Sequence, residues 1–246
     1  GDGNDRILGG TGNDVIDLTG ITLVSVEQID GGAGNDTITG SAGDDVITGN
    51  TGNDTLSGGL GNDVFTLAGD GGNDIIDGGA GIDTIRGSIS NDNIRIAAGV
   101  AGITSIERIE GGDGNDRILG GTGNDVIDLG GVLLTSIEQI DGGAGNDTIV
   151  SSLSADLLTG GTGVDRFVFR SDSGHDVVGD FRGAAVTANT GDQLDLRGLG
   201  FASFEDVIAA SSQISTSDGL ITIDSQTSIR LQGVVITTLT ADDILV

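Results

Sequence analysis

The chain carries an unbroken nine-residue register. Residues 31–66 read GGAGNDTIT, GSAGDDVIT, GNTGNDTLS and GGLGNDVFT, four units laid end to end. Each unit runs Gly, Gly or small, any, Gly, Asn or Asp, Asp, any, apolar, polar, and a fixed short period has to be read before any single element is assigned. The first six positions suit neither helix nor strand, because glycine, Asn and Asp supply left-handed backbone and self-bonding side chains, the chemistry of a tight turn. The last three positions are a short strand with an apolar centre. Side chains alternate faces along a strand, so Ile38, Ile47, Leu56 and Phe65 can all point inward. Two units then make one coil of a flattened solenoid with two parallel sheets and a narrow aliphatic core.

Such stacking places Asp36 above Asp54 and Asp45 above Asp63, with backbone carbonyls aimed into the same gaps. Oxygens crowded in this way repel unless a cation lies between them. Hard divalent cations suit carboxylate and carbonyl ligands, and flexible six- to eight-fold coordination favours Ca2+ over Mg2+. The charge balance agrees: 38 acidic residues face 10 basic ones, a net charge of −28, and no Lys occurs. That excludes a nucleic-acid binder, which needs basic patches, and an anionic membrane surface as partner. Without cations the folded chain repels itself. With 47 Gly, 6 Phe and no Trp, Tyr, Pro, Cys or Met, the composition by itself describes a disordered acidic chain. The periodic aliphatic residues point instead to disorder that ends when the cation arrives. No apolar run is long enough to span a bilayer.

The remaining chain follows the same register with three interruptions. Longer half-coils fill 18–30, 96–110 and 129–141, each with alternating apolar and polar residues, and Leu67-Ala68 is a two-residue bulge. Decayed units at 87–95 (GSISNDNIR) and 151–159 (SSLSADLLT) keep their Asp and central apolar residue. Residues 112–149 nearly duplicate residues 1–38, interrupting segment included, so the array grew by whole blocks. Residue 1 falls inside a unit, so the expectation is a C-terminal piece of a longer protein, and a missing leader carries no information.

These units resemble the RTX nonapeptide repeat, GGxGxDxUx, whose described fold is a Ca2+-binding β-helix. The resemblance implies an all-β, right-handed parallel β-roll (a β-solenoid) over 1–168. It also implies Ca2+ held between turns two units apart, with roughly six to ten ions bound and dissociation constants of about 10⁻⁴–10⁻³ M. Carried over position by position, the sixth-position carboxylates are Asp5, Asp14, Asp36, Asp45, Asp54, Asp63, Asp74, Asp83, Asp116, Asp125, Asp147 and Asp165. Backbone carbonyls at the second and fourth positions would come from Gly10, Gly12, Gly32, Gly34, Gly43, Gly52, Gly59, Gly61, Gly79, Gly81, Gly112, Gly114, Gly121, Gly123, Gly143, Gly145, Gly161 and Gly163. In the decayed units Asp92 and Asp156 are further candidates, balanced between ligand and turn residue.

Five of the six Phe lie at or beyond 167, and a solenoid needs its open end covered. Residues 169–246 are therefore expected to form a small β-rich cap. FVFRSDSGHDVVGDF followed by GDQLDLRGLG resembles the closing segment of secreted RTX proteins, and the whole region resembles the uncleaved target of type I (ABC transporter) export. FASFEDVIAA reads as the one short helix, and DGLITID, SIRLQGVVI and LTADDILV as antiparallel strands. Asp176, Asp180, Asp192 and Asp195 either hold a further Ca2+ or act as turn and cap residues.

Catalysis finds no support in these residues. The single His175 falls where the closing pattern accepts any residue and reads as a surface side chain, no GxSxG occurs, and no Lys completes a P-loop. TGN triplets at 11–13, 51–53 and 122–124 are too sparse for an ice-binding plane. The reading is a Ca2+-folded module of a bacterial protein, secreted or at the cell surface. Its partners are Ca2+ and, during export, the type I ABC transporter machinery, with no nucleic acid and no membrane insertion; self-assembly stays open. Two alternatives remain: an anchoring region of a surface adhesin or S-layer protein, and the export module of a secreted protease or lipase.

Overall fold

The computed structural model describes residues 5–23, 28–67, 72–95, 103–183 and 191–246. The start of the first unit, the middle of the 18–30 segment, Ala68 with the beginning of unit 69–77, and the beginning of the 96–110 segment lie outside the described residues. The chain is a parallel β-solenoid, nearly all β among the described residues, with one short α-helix and one 3-10 turn. It divides into two compact units, residues 1–118 with 132–137, and 119–131 with 138–246.

In the first unit, two parallel sheets form because successive repeats alternate between them. One holds Arg6–Gly10, Gln28–Ala33, Val46–Thr51, Val64–Thr66, Thr84–Arg86, Arg108–Glu110 and Leu133–Thr135, in that order. The other holds Val15–Asp17, Thr37–Thr39, Thr55–Leu60, Ile75–Ala80 and Ile103–Thr104. The register is set by the apolar eighth position: Ile29 pairs with Ile47, Ile47 with Phe65, Phe65 with Ile85, and Ile85 with Ile109. On the second sheet Ile38 pairs with Leu56, and Leu56 with Ile76. All of these side chains are buried, each contributing roughly 1.5–3 kcal/mol, so the core is two apolar columns one residue wide. A one-residue slip would turn a whole strand's apolar centre outward, which is why the nine-residue count is held so strictly.

The second unit continues the same scheme with larger side chains. Val126–Asp128, Thr148–Val150, Arg166–Val168, Gln193–Asp195 and Ile244–Leu245 form one parallel sheet, its centre running Ile127, Ile149, Phe167, Leu194, Ile244. Gln139–Asp141, Leu157–Thr159, His175–Val178 and Ser228–Leu231 pair in parallel, and Gly219–Thr222 and Ser211–Gln213 then add antiparallel strands.

The expected antiparallel arrangement therefore holds for DGLITID against SIRLQGVVI. It does not hold for LTADDILV, whose strand extends the parallel sheet because Ile244 stacks on the Leu194 column. The expected helix is Phe204–Ala209, capped by Ser203, whose side chain accepts from the Asp206 N–H, with Glu205 and Asp206 in its first turn and Val207 buried. His175 is exposed and meets Ser228 across neighbouring strands at 2.9 Å. Among the described residues no helix is long and apolar enough to cross a membrane.

Candidate metal centre

The sixth-position Asp residues stack into ladders along the turns. Along each ladder, an Asp accepts on its Oδ1 the backbone N–H of the Asp one coil before it. Asp14 donates to Asp36, Asp36 to Asp54 and Asp54 to Asp74, at 2.8–2.9 Å. On the other edge Asp45 donates to Asp63 and Asp63 to Asp83, and in the second unit Asp125 donates to Asp147 and Asp147 to Asp165. Asp92 donates to Asp116 in the same way. Asp5, half-buried, lies just before the first strand.

One carboxylate oxygen is thus committed to the backbone. The other oxygen divides the turns into two kinds. In Asp36, Asp54, Asp63, Asp83, Asp147 and Asp165 the Oδ2 atom is buried with no hydrogen-bond partner. These carboxylates are at most 2% exposed. A buried oxygen anion without a partner is costly, and burial pushes Asp54, Asp63, Asp83, Asp147 and Asp165 upward. Asp63 rises to about 6, with Asp83 and Asp45 adding to the effect, and Asp147 rises to about 6. Asp54, Asp83 and Asp165 move the same way for the same first reason. Asp74, less buried, is also raised to about 6 by desolvation.

In the other kind of turn the Oδ2 atom is served from within its own unit, although Asp125 keeps a buried Oδ1 without a partner. The second-position N–H donates to Oδ2: Gly10 to Asp14, Ser41 to Asp45, Ser88 to Asp92, Gly121 to Asp125 and Ser152 to Asp156. Where that residue is Ser, its hydroxyl also donates to Oδ1 of Asp45, Asp92 or Asp156, at 2.8–3.1 Å. The decayed units 87–95 and 151–159 therefore bring their own donors to the carboxylate. Asp156 is still raised to about 6 by burial, and its ladder partner Asp176, which accepts from the Asp156 N–H, to about 8.

The glycines explain how closely the oxygens approach. In the first kind of turn the second and fourth positions have left-handed backbone, for example Gly32 at φ +101° and Gly52 at φ +132°. A Cβ on Gly52 would collide with the Gly34 carbonyl of the preceding coil, and one on Gly32 with the Gly10 carbonyl. The first position is as tight. A Cβ on Gly142 would lie 2.6 Å from Asp147 Oδ2 and 2.8 Å from the Gly160 carbonyl of the next coil. Carboxylate and carbonyl oxygens thus converge on glycine-lined gaps that only a missing side chain leaves open.

Among the described residues no three acidic or imidazole groups converge on one point. The carboxylates are dealt out one per turn, so a cation here draws on carbonyls as well.

Three features escaped the sequence reading. Glu107 closes the ladder that begins at Asp45, its Oε2 accepting the Asp83 N–H at 2.8 Å. The signal was present: in SIERIE the Glu stands two residues before the central Ile, as the Asp does in every repeat. The fifth-position Asn residues form a counter-running ladder, in which Asn35 N–H donates back to Asn13, Asn53 to Asn35, Asn73 to Asn53 and Asn146 to Asn124. In the closing region, Asp195 is bound by Arg166 and Arg197; hydrogen bonds from Arg197 hold its carboxyl well below the ordinary range. Asp192 instead joins a ladder, accepting the Asp165 N–H at 3.0 Å, and burial raises it to about 6.

A parallel solenoid with one carboxylate per glycine turn, most of them buried, defines a class of repeat protein built around oxygen-lined gaps. The model of the RTX calcium-binding nonapeptide repeat (4 copies) matches residues 1–19, 30–65, 66–99, 102–131 and 135–167, more than half of the chain, and the chain belongs to that family. Among solved structures it is similar to the extracellular lipase LipA from Serratia marcescens, at 18% identity and a TM-score of 0.34, over 87% of this chain and 40% of that one. The chain thus spans less than half the length of that lipase. No curated protein matches it.

Proposed function

We propose that the chain is a Ca2+-binding module that is disordered at low Ca2+ and folds when the ion is supplied outside the cell, supporting type I secretion of a larger protein. The observation that carries this reading is the set of buried, unpartnered Oδ2 atoms on Asp36, Asp54, Asp63, Asp83, Asp147 and Asp165. A protein left with such oxygens needs a positive charge in its turns, and the turns already turn carbonyls toward them. The donor set is all oxygen, mixing carboxylate with carbonyl, which suits Ca2+. Asp36, Asp54, Asp63, Asp83 and Asp147 would hold the ion, together with second- and fourth-position carbonyls of neighbouring coils. Bound Ca2+ supplies charge neutralisation and nothing redox or Lewis-acidic is required of it.

The chain's own residues do the rest. The ladder N–H groups fix one carboxylate oxygen and aim the other, and the glycines keep the gap open. The aliphatic columns are too thin to hold the chain against its own charge, so binding energy becomes folding energy. At cytosolic Ca2+ the chain stays extended and fit for threading through an export channel. Equilibrium dialysis against Ca2+, with the Asp54→Ala variant beside the native chain, tests the assignment. The native chain should bind several ions with affinities near 10⁻⁴–10⁻³ M, roughly as extracellular modules do, and the variant fewer. Equal ion counts in the two would refute it.

A further inference from the structure

The last repeat turn, 160–168, is closed differently from the turns before it. In the gap one coil earlier, Asp147 Oδ2 has no partner, and the Gly143 carbonyl accepts the Thr162 N–H at 2.9 Å; Asp165 Oδ2, also without a partner, lies beside Gly160 in the last gap. Beyond residue 168 no glycine repeat follows to supply the equivalent groups. The segment Asp180-Phe181-Arg182 takes their place. Asp180 accepts the Gly160 N–H on one carboxylate oxygen at 2.9 Å and the Gly161 N–H on the other at 2.8 Å. The Arg182 guanidinium donates to the Gly161 carbonyl, a second-position oxygen of the kind assigned to the ion elsewhere.

The carboxylate on the far side of this gap is also satisfied. Asp192 accepts the Asp165 N–H on Oδ1 at 3.0 Å and the Arg182 N–H on Oδ2 at 2.7 Å, and its own N–H returns to the Arg182 carbonyl. Phe181, buried between the two polar residues, anchors the segment against Phe167 with ring centroids 6.4 Å apart. Burial and then the Asp180 charge push Asp165 upward, and the Arg182 guanidinium opposes that push, as it opposes the push of burial on Asp192. Guanidinium is permanently charged and presents several donors in a plane, so it can offer both a positive charge and directed N–H groups to oxygens.

We propose that Arg182 is the resident cation of the last gap: its guanidinium stands where Ca2+ stands in the gaps further in, and this gap takes no ion. The inference rests on the Ca2+ reading above. It makes the end of the repeat array independent of the ion and sets the ion count below the number of turn gaps.

Long-wavelength diffraction from Ca2+-loaded crystals of the native chain and of Arg182→Gln locates each ion by its anomalous signal. In the native chain, peaks should mark the gaps lined by Asp36, Asp54, Asp63, Asp83 and Asp147, with none between Gly161 and Asp192. Gln retains an N–H donor for the Gly161 carbonyl but no charge, so Arg182→Gln should gain one peak there. A peak in that gap of the native chain overturns the inference, and so does an Arg182→Gln structure with the gap still empty, which would make Arg182 a hydrogen-bond donor only. If Arg182→Gln fails to fold, the native crystal alone decides. Peaks in no gap at all would overturn the Ca2+ reading itself.

Discussion

Replacing Asp63 with Asn should move stability in opposite directions depending on Ca2+. Asn is nearly isosteric, so its Oδ1 can keep the 2.8 Å hydrogen bond from the Asp45 N–H. What changes is the charge on a fully buried group whose Oδ2 has no partner. Burial, followed by repulsion from Asp83 and Asp45, raises the Asp63 carboxyl from 3.8 to about 6. Near pH 8 that is about two pK units of unfavourable ionisation at about 1.4 kcal/mol each. Solvent screening and relaxation of the neighbouring carboxylates reduce it to about 1–2 kcal/mol. In chelator the variant should therefore be more stable than the native chain by about that amount.

With Ca2+ the sign reverses. A site with a dissociation constant of about 10⁻⁴–10⁻³ M contributes about 1.4–2.7 kcal/mol at 10 mM Ca2+, and the variant forfeits that for each gap Asp63 lines. Urea titrations of both proteins, in chelator and in 10 mM Ca2+, read the two differences directly. A variant less stable under both conditions, or equal to the native chain with Ca2+, would show that the Asp63 charge is not a charge awaiting a cation.

Acid should partly replace the ion. Asp63, Asp74, Asp147, Asp156 and Asp192 are raised to about 6 and Asp176 to about 8. Carboxyls raised on folding contribute stability that is complete below their unfolded value and disappears as pH climbs through the folded one. Far-UV circular dichroism in chelator should accordingly show β structure increasing as pH falls from about 8 to about 5. Gly52→Ala combines left-handed backbone at φ +132° with a collision against the Gly34 carbonyl, and should cost roughly 2–4 kcal/mol, read as a higher Ca2+ midpoint. Ser152→Ala removes the hydroxyl donor to Asp156 and the acceptor for the Ser154 N–H, and should destabilise the Ca2+-loaded chain by about 1–3 kcal/mol, read by urea titration.

The nine-residue count was enough to read the register of the solenoid. It aligned Ile38 over Leu56 and Asp36 over Asp54 because strand alternation and equal spacing leave no other stacking. It was not enough to tell one turn from another. Every sixth-position Asp looks alike in sequence, yet Asp54 keeps an unpartnered oxygen while Asp45 is served by Ser41. That difference hangs on the second position, where Ser41 donates and the left-handed Asn50 does not. Glu107 was hidden by its longer side chain in a segment that breaks the count. The strand Ile244–Leu245 was misread as antiparallel because its partner, Leu194, lies 50 residues earlier and no local pattern announces it.

The central claim is that these turns fold because an ion arrives. Far-UV circular dichroism of the whole chain, titrated from chelator to several millimolar Ca2+ with Mg2+ as control, tests it most directly. The account predicts a weak β signal in chelator near pH 8 and a steep rise with Ca2+ that Mg2+ does not reproduce. Full β structure already present in chelator at that pH would contradict it, and would make the Asp ladders a scaffold that stands without the ion.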